Sequence, residues 1–207
     1  PNVPAANAGP DQDLCSVDGT GLASTTLAPA PAPAPATGQW TIVSGSGTFT
    51  NPNSPTTTVT NIPVGTHVYQ WTVNNGPCTP PTSSDQVVIR VFDRNAPVAA
   101  AGPDQQVCAP VTSVTLAANA ATAPAVGTWT VVSGAGTFAD PNSPTTTVTG
   151  MAIGTNVYQW TIANGPCPNS GSSDQVSIVL FDPATSTAQA GPDQELCGSS
   201  STTLAGN

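Results

Sequence analysis

Polar and apolar residues alternate with a period of two along several stretches of this chain. In HVYQWTV, His67–Val73, one face carries Tyr69, Trp71 and Val73 and the other Gln70 and Thr72. The pattern returns as Tyr158, Trp160 and Ile162. Val87, Ile89 and Val91 alternate with Val88, Arg90 and Phe92, and Val176, Ile178 and Leu180 with Ser177, Val179 and Phe181. An earlier strand carries Trp40 and Ile42, copied as Trp129 and Val131. Such alternation marks a strand with one buried face. No segment keeps a helical period over a useful length, and Thr, Val, Gly and Pro dominate. Turn clusters SGSG, NPNSP, PVG and NNGP separate the strands. The pattern predicts about seven strands in the first ~90 residues, near 11–15, 23–28, 39–44, 47–50, 56–60, 66–74 and 85–92. That density reads as an all-β chain of seven-stranded antiparallel β-sandwiches. Trp40 and Trp71 are expected to anchor one core, and Trp129 and Trp160 another. The competing reading of these four rings is a set of exposed sugar-stacking platforms, and their place on the apolar faces argues against it.

The second half of the chain can be laid on the first. PNSPTTTVT at Pro52–Thr60 recurs at Pro141–Thr149, VYQWT at Val68 recurs at Val157, NGPC at Asn75 recurs at Asn164, and SSDQV at Ser83 recurs at Ser172, all at an offset of 89. AGPDQ opens at Ala8, Ala101 and Ala190. The first of these offsets is four residues longer, and the extra residues lie near APAPAPAPA, Ala28–Ala36. A period near 90 is too long for a solenoid unit of roughly 20–50 residues and suits a whole small domain. The expected organisation is a linker at 1–7, repeat 1 at 8–93, a linker at 94–100, repeat 2 at 101–182, a linker at 183–189 and the first strands of a third repeat at 190–207. The linker Arg94–Ala100 is short and Pro-containing, which restricts bending more than a Gly/Ser tether does.

Five cysteines follow the repeats. One pair per repeat gives Cys15 with Cys78 and Cys108 with Cys167, and leaves Cys197 to a partner beyond the chain end. A second register, Cys78 with Cys108 and Cys167 with Cys197, fits the arithmetic equally. Geometry argues against it, because the strand Gln86–Asp93 would hold Cys78 and Cys108 ~25 Å apart, whereas bonded Cα atoms lie within about 7 Å. A bridge implies an oxidising compartment.

Composition narrows the function classes. Only 6% of the 207 residues are charged, there is no lysine, and the net charge is −9. Nucleic acid and anionic membrane surfaces are disfavoured partners. No apolar run reaches the ~18 residues of a membrane span. The single methionine is Met151, so the chain reads as a processed product or a segment of something longer.

Candidate chemistry is sparse. His67 is the sole histidine, is replaced by Asn156 in repeat 2, and is expected at a strand start facing solvent. No phosphate loop, zinc spacing or serine-hydrolase elbow is present. Asp93 with Asp104, and Asp182 with Asp193, bracket the junctions and are candidate Ca²⁺ ligands, against the alternative that each caps its own turn. Asp85 and Asp174 read as turn residues. Otherwise no cofactor is expected. Thr25–Gly38, TTLAPAPAPAPATG, reads as a polyproline-type rod. Thr37, Thr56, Thr57, Thr145 and Thr146 are O-glycan candidates in Thr/Pro-rich tracts.

AGPDQ-x-x-C, TLAGN, GTWTVVSGAGTF, DPNSPTTTVTG, VYQWTIANGPC and SSDQV together form a chain of motifs. It resembles the tandem immunoglobulin-like (PKD-like) repeats of very large Bacteroidetes surface proteins, including gliding-motility adhesins of the SprB type. The resemblance covers nearly the whole chain; repeat 1 departs from it at SVDGTGLAS and the Ala-Pro insertion. It implies Ig-like/PKD-like sandwiches, export through the type IX pathway, an extracellular or cell-surface location, and no catalytic residues.

The function this predicts is a non-enzymatic structural module of an extracellular filament or adhesin stalk. Its expected partners are neighbouring repeats of the same chain or identical subunits in a fibre, with covalent glycans as a further candidate. The alternatives are a carbohydrate-binding module and an enzyme accessory domain. Because repeat 1 already has its own opening strands, continuation along one long polypeptide is favoured over donor-strand exchange, with non-covalent head-to-tail assembly as the alternative.

Overall fold

The computed structural model describes residues 5–185, 188–198 and 201–206. Each full repeat folds as a β-sandwich of a four-stranded and a three-stranded sheet. Repeat 1 comprises β1 (Gln12–Cys15), β2 (Leu22–Leu27), β3 (Thr37–Ser44), β4 (Thr48–Phe49), β5 (Thr57–Pro63), β6 (Gly65–Asn74) and β7 (Thr82–Phe92). Its sheets run β1-β7-β6-β3 and β2-β5-β4. Repeat 2 comprises β8 (Gln105–Cys108), β9 (Ser113–Thr115), β10 (Val126–Ser133), β11 (Thr137–Phe138), β12 (Thr147–Thr149), β13 (Gly154–Ala163) and β14 (Ser172–Phe181), in the same order: β8-β14-β13-β10 and β9-β12-β11. All pairings are antiparallel except the first strand of each repeat, which runs parallel to the last. Cys15 thereby pairs with Phe92, and Cys108 with Phe181.

Side-chain alternation built these layers. Tyr69, Trp71 and Val73 are buried, as are Tyr158, Trp160 and Ile162. Trp40 and Trp71 face each other across β3 and β6 with ring centroids 5.2 Å apart, and Trp129 and Trp160 repeat that spacing. Phe49 and Phe138 complete each cluster edge-on to Tyr69 and Tyr158 at 5.4 Å. The close approach needs glycine on the strand. A Cβ on Gly38 or Gly127 would stand 2.0 Å from a ring carbon of Trp71 or Trp160. Ile42 and Val131 depart from the expectation and are exposed, although they pair with the buried Tyr69 and Tyr158; they lie on β3 and β10, the edge strands of their sheets.

His67 is buried, only 3% exposed, which corrects the expectation that it faces solvent. Its Nδ1 accepts from the Ser46 N–H at 3.0 Å and its Nε2 donates to the Pro63 carbonyl at 2.8 Å. Asn156 does the same work in repeat 2, accepting from Ala135 N–H at 3.0 Å and donating to Ala152 O at 2.9 Å. H67N should therefore leave repeat 1 stable within about 1 kcal/mol. H67A orphans a buried donor and an acceptor and should cost about 2–4 kcal/mol in urea unfolding.

Burial pushes the Tyr69 hydroxyl up to about 12, and raises that of Tyr158 as well. These phenols donate to Ser46 O and Ala135 O. A group whose folded pKa lies above its unfolded value of 10.0 contributes stability below that value, and loses it as pH rises toward 12. Alkaline titration should thus show tyrosinate absorbance rising above the normal phenol range, together with loss of near-ultraviolet circular dichroism. Ordinary tyrosine titration in a fold that stays intact would contradict this.

The Ala-Pro tract is not a free rod. Ala36 N–H bonds to Pro33 O at 2.9 Å, and Ala32 and Ala36 pack on the repeat 1 core. Residues 190–198 and 201–206 are exposed and form no strand, in place of the expected opening strands; Ser199, Ser200 and Asn207 lie outside the described residues. A first strand of this type needs a last strand to pair with, as β1 has β7. Locally Gln194 Nε2 still donates to Thr203 O at 3.1 Å, the counterpart of Gln105 Nε2 to Thr115 O in repeat 2.

Candidate functional site at the repeat junction

The two sandwiches meet where β7 of repeat 1 ends and the β13–β14 turn of repeat 2 begins. Cys15 and Cys167 form a disulfide across this junction, with Cα atoms 5.1 Å apart and a sequence separation of 152. Cys78, Cys108 and Cys197 are free and exposed. Both expected pairings, Cys15 with Cys78 and Cys108 with Cys167, are thus overturned, and so is the second register. The reason is the parallel first strand. Cys15 lies beside Phe92 at the exit of β7, whereas Cys78 sits in the turn that enters it. An eleven-residue strand spans about 33 Å, far more than a disulfide can bridge. The two cysteines of one repeat therefore lie at opposite ends of it.

Around the bridge the junction is buried and hydrogen-bonded. Phe92 is only 6% exposed and joins the core of repeat 2 rather than that of repeat 1. Gly165 makes room for it: a Cβ there would stand 2.5 Å from the Phe92 ring. Asn164, fully buried, donates from Nδ2 to Asp93 O at 2.8 Å and to Asn169 Oδ1 at 2.7 Å. Asn169 Nδ2 donates in turn to Ala96 O at 2.7 Å. On the other side Ser16 is buried; its N–H bonds to Phe92 O at 2.9 Å and its Oγ accepts from Arg94 N–H at 3.0 Å. The exposed Arg94–Asp18 pair, 3.0 Å, adds little in high dielectric.

The linker is pinned along its length. Ala99 N–H bonds to Ser172 Oγ and Ala101 N–H to Asp174 Oδ2, at 3.0 and 2.8 Å. Asn119 closes on the linker with Oδ1 to Ala100 N–H and Nδ2 to Val98 O. Repeat 1 has the same clasp, with Ala6 on Ser83 and Ala8 on Asp85. Asp85 and Asp174 are therefore not simple turn residues; they fasten the opening segment to the last strand. The aspartate of AGPDQ answers in reverse. Asp11 Oδ1 accepts from Val88 N–H at 2.9 Å and Asp104 Oδ1 from Ser177 N–H at 2.8 Å. These recurring clasps explain why AGPDQ and SSDQV repeat together.

The remaining candidates are dispersed. Asp93 and Asp182 each accept from the N–H two residues on, at 2.9 Å, as turn caps do. Among the described residues there is no group of three or more His, Cys, Asp or Glu placed to hold a metal ion. Asp104, the partner expected for Asp93, is instead engaged with the Ser177 N–H. Thr57 and Thr146 are buried, each accepting from a backbone N–H of the preceding turn, and are unsuited to carry a glycan. Thr37, Thr56 and Thr145 are exposed. A cleft of about 740 Å³ lies beside the Ala-Pro tract, lined by Pro31, Ala32, Gly38, Asn53 and Trp71 among others. Trp71 itself is buried, so the cleft presents no ring face for sugar stacking. No helix among the described residues is long and apolar enough to cross a membrane.

Fold and junction together define tandem Ig-like/PKD-like β-sandwiches, joined end to end by a linker and a disulfide. No family model matches the chain, and no curated protein matches it. Among solved structures the chain is similar to the PKD domain from KIAA 1837 protein, with 26% identity and a TM-score of 0.35, covering 47% of this chain and 92% of that one. It is also similar to an I-band fragment from titin, with 12% identity and a TM-score of 0.40, covering 86% of this chain and 65% of that one. A crystal structure of cadherin domains of protocadherin Gamma B7 matches with 15% identity and a TM-score of 0.34, covering 89% of this chain and 53% of that one.

Proposed function

We propose that the chain is a non-catalytic, tension-bearing spacer of an extracellular filament or of the stalk of a surface adhesin. The observation that supports this most is the Cys15–Cys167 bridge, which ties together residues 152 apart across the junction. Tension applied to the ends of the chain passes from Cys15 through the sulfurs to Cys167. Most of both sandwiches lies inside the closed loop and is shielded from the pull. A spacer that must keep its length under load gains from that arrangement. The disulfide suits an oxidising compartment. The motif resemblance to Bacteroidetes surface repeats supports display at the cell surface after type IX export. An O-glycan, if carried, belongs on the exposed Thr37, Thr56 or Thr145, and intact mass above that of the bare polypeptide reports it.

Single-molecule stretching from the two termini tests the proposal. The oxidised chain should not release the contour length of the bridged segment, about 500 Å at full extension. A reductant should restore it. Full extension of the oxidised chain would refute the shielding, and binding of the chain to a glycan surface would favour the carbohydrate-binding alternative.

A further inference from the structure

The junction between the two repeats has both of its halves again, one on repeat 2 and one on repeat 1. Repeat 2 ends as repeat 1 does. Cys108 pairs with Phe181 as Cys15 pairs with Phe92, and Ala109 N–H bonds to Phe181 O at 2.9 Å as Ser16 N–H bonds to Phe92 O. Phe181, however, is 48% exposed where Phe92 is 6% exposed. At the opposite end, the β6–β7 turn of repeat 1 presents the seat. Asn75 stands where Asn164 stands, and both polar atoms of its side chain are buried without a partner, whereas Asn164 donates to the neighbouring repeat. Gly76 matches Gly165 in backbone, φ +62° against +51°, yet nothing lies within 4 Å of where its Cβ would be. Cys78 and Cys108 are both exposed thiols.

We propose that the Cys108 end of one chain docks onto the Cys78 end of a second copy, with Phe181 over Gly76, Asn75 bonded to the partner's main chain, and Cys108 bonded to Cys78. One protruding half and one receiving half on each chain make a head-to-tail contact, which propagates rather than closing on itself. In the bond-forming step the two thiols lose two protons and two electrons to a disulfide oxidant such as oxidised glutathione, which leaves as two thiols. The seat of repeat 1 differs at four positions: Thr79, Pro80, Pro81 and Thr82 stand where repeat 2 has Pro168, Asn169, Ser170 and Gly171. Without Asn169 the contact to the linker carbonyl is not repeated, and without Ser170 the hydroxyl that accepts from the Asn164 N–H is missing. The proposal extends the spacer reading from one chain to an assembly. Its test is independent of the stretching experiment, which reads only the internal bridge.

The full chain is held in a glutathione redox buffer and followed by non-reducing electrophoresis and peptide mapping. The expected result is a ladder of covalent multimers with Cys108 and Cys78 peptides linked. C78S or C108S should each abolish the ladder while the Cys15–Cys167 linkage persists, and C197S should leave it intact. F181A keeps every cysteine and should slow the ladder about tenfold by weakening docking. Absence of multimers, linkage of Cys108 to Cys197, a ladder that survives C78S or C108S, or one indifferent to F181A would each overturn the proposal. The first of these is the outcome expected if a completed third repeat of the same polypeptide, rather than a second copy, fills the seat.

Discussion

Replacing Gly127 by alanine should strongly destabilise repeat 2 while leaving the core of repeat 1 in place. Gly127 lies on β10 directly under the Trp160 ring, and an added methyl would stand 2.0 Å from that ring. The ring has no room to yield: it is fully buried, packed at a tilt against Trp129, and its indole N–H donates to Asn119 O at 3.1 Å. The least costly response is to expel the ring, which forfeits about 3–5 kcal/mol, as for a tryptophan truncated in a core. A sandwich of this size melts about 4–8 °C lower per kcal/mol. Calorimetry of G127A should therefore show one transition lowered by about 15 °C or more, and the other near its original position. G38A should reverse the assignment. Two unchanged transitions would mean that the ring slot is not rigid.

Loss of the junction bridge, by C15S or by reductant, should lower both transitions. While repeat 2 stays folded, Cys167 holds Cys15 near Asp93, so an unfolded repeat 1 remains a closed loop. The converse holds for repeat 2. Each loop has about 75 residues, and closing it should stabilise the folded repeat by about 4 kcal/mol on the chain-entropy model. The hydrogen bonds of Asn164 and the burial of Phe92 survive the loss, so the sandwiches should remain end to end but open more readily. Hydrogen exchange at Phe92–Ala101 reads that opening directly. Insensitivity of both transitions to reductant would show that the bridge contributes nothing.

Strand existence was legible because the apolar positions alternate so cleanly. All seven strands of repeat 1 lie within a few residues of their expected places, and Trp40, Trp71, Trp129 and Trp160 are buried. What was not legible was the direction of the first strand. A short segment such as QDLC carries no mark of whether it pairs parallel or antiparallel, and that one bit decides at which end of the repeat Cys15 lies. The strand-length argument that excluded Cys78 with Cys108 applied equally to Cys15 with Cys78, once β1 is known to run alongside β7. A signal was present in Phe92 and Phe181. An aromatic residue at the solvent-facing phase of a strand's last position, in both repeats, points to a contact beyond the domain. His67 was misplaced for a related reason. Its replacement by Asn156 looked like a drift at the surface, but both side chains offer one acceptor and one donor, and the fold uses both.

Peptide mapping of the oxidised chain without reductant tests the account most directly. The peptide bearing Cys15 should be found joined to the peptide bearing Cys167. Recovery of Cys15 joined to Cys78 would place both cysteines at one end of repeat 1, and would contradict the parallel first strand and the stapled junction together.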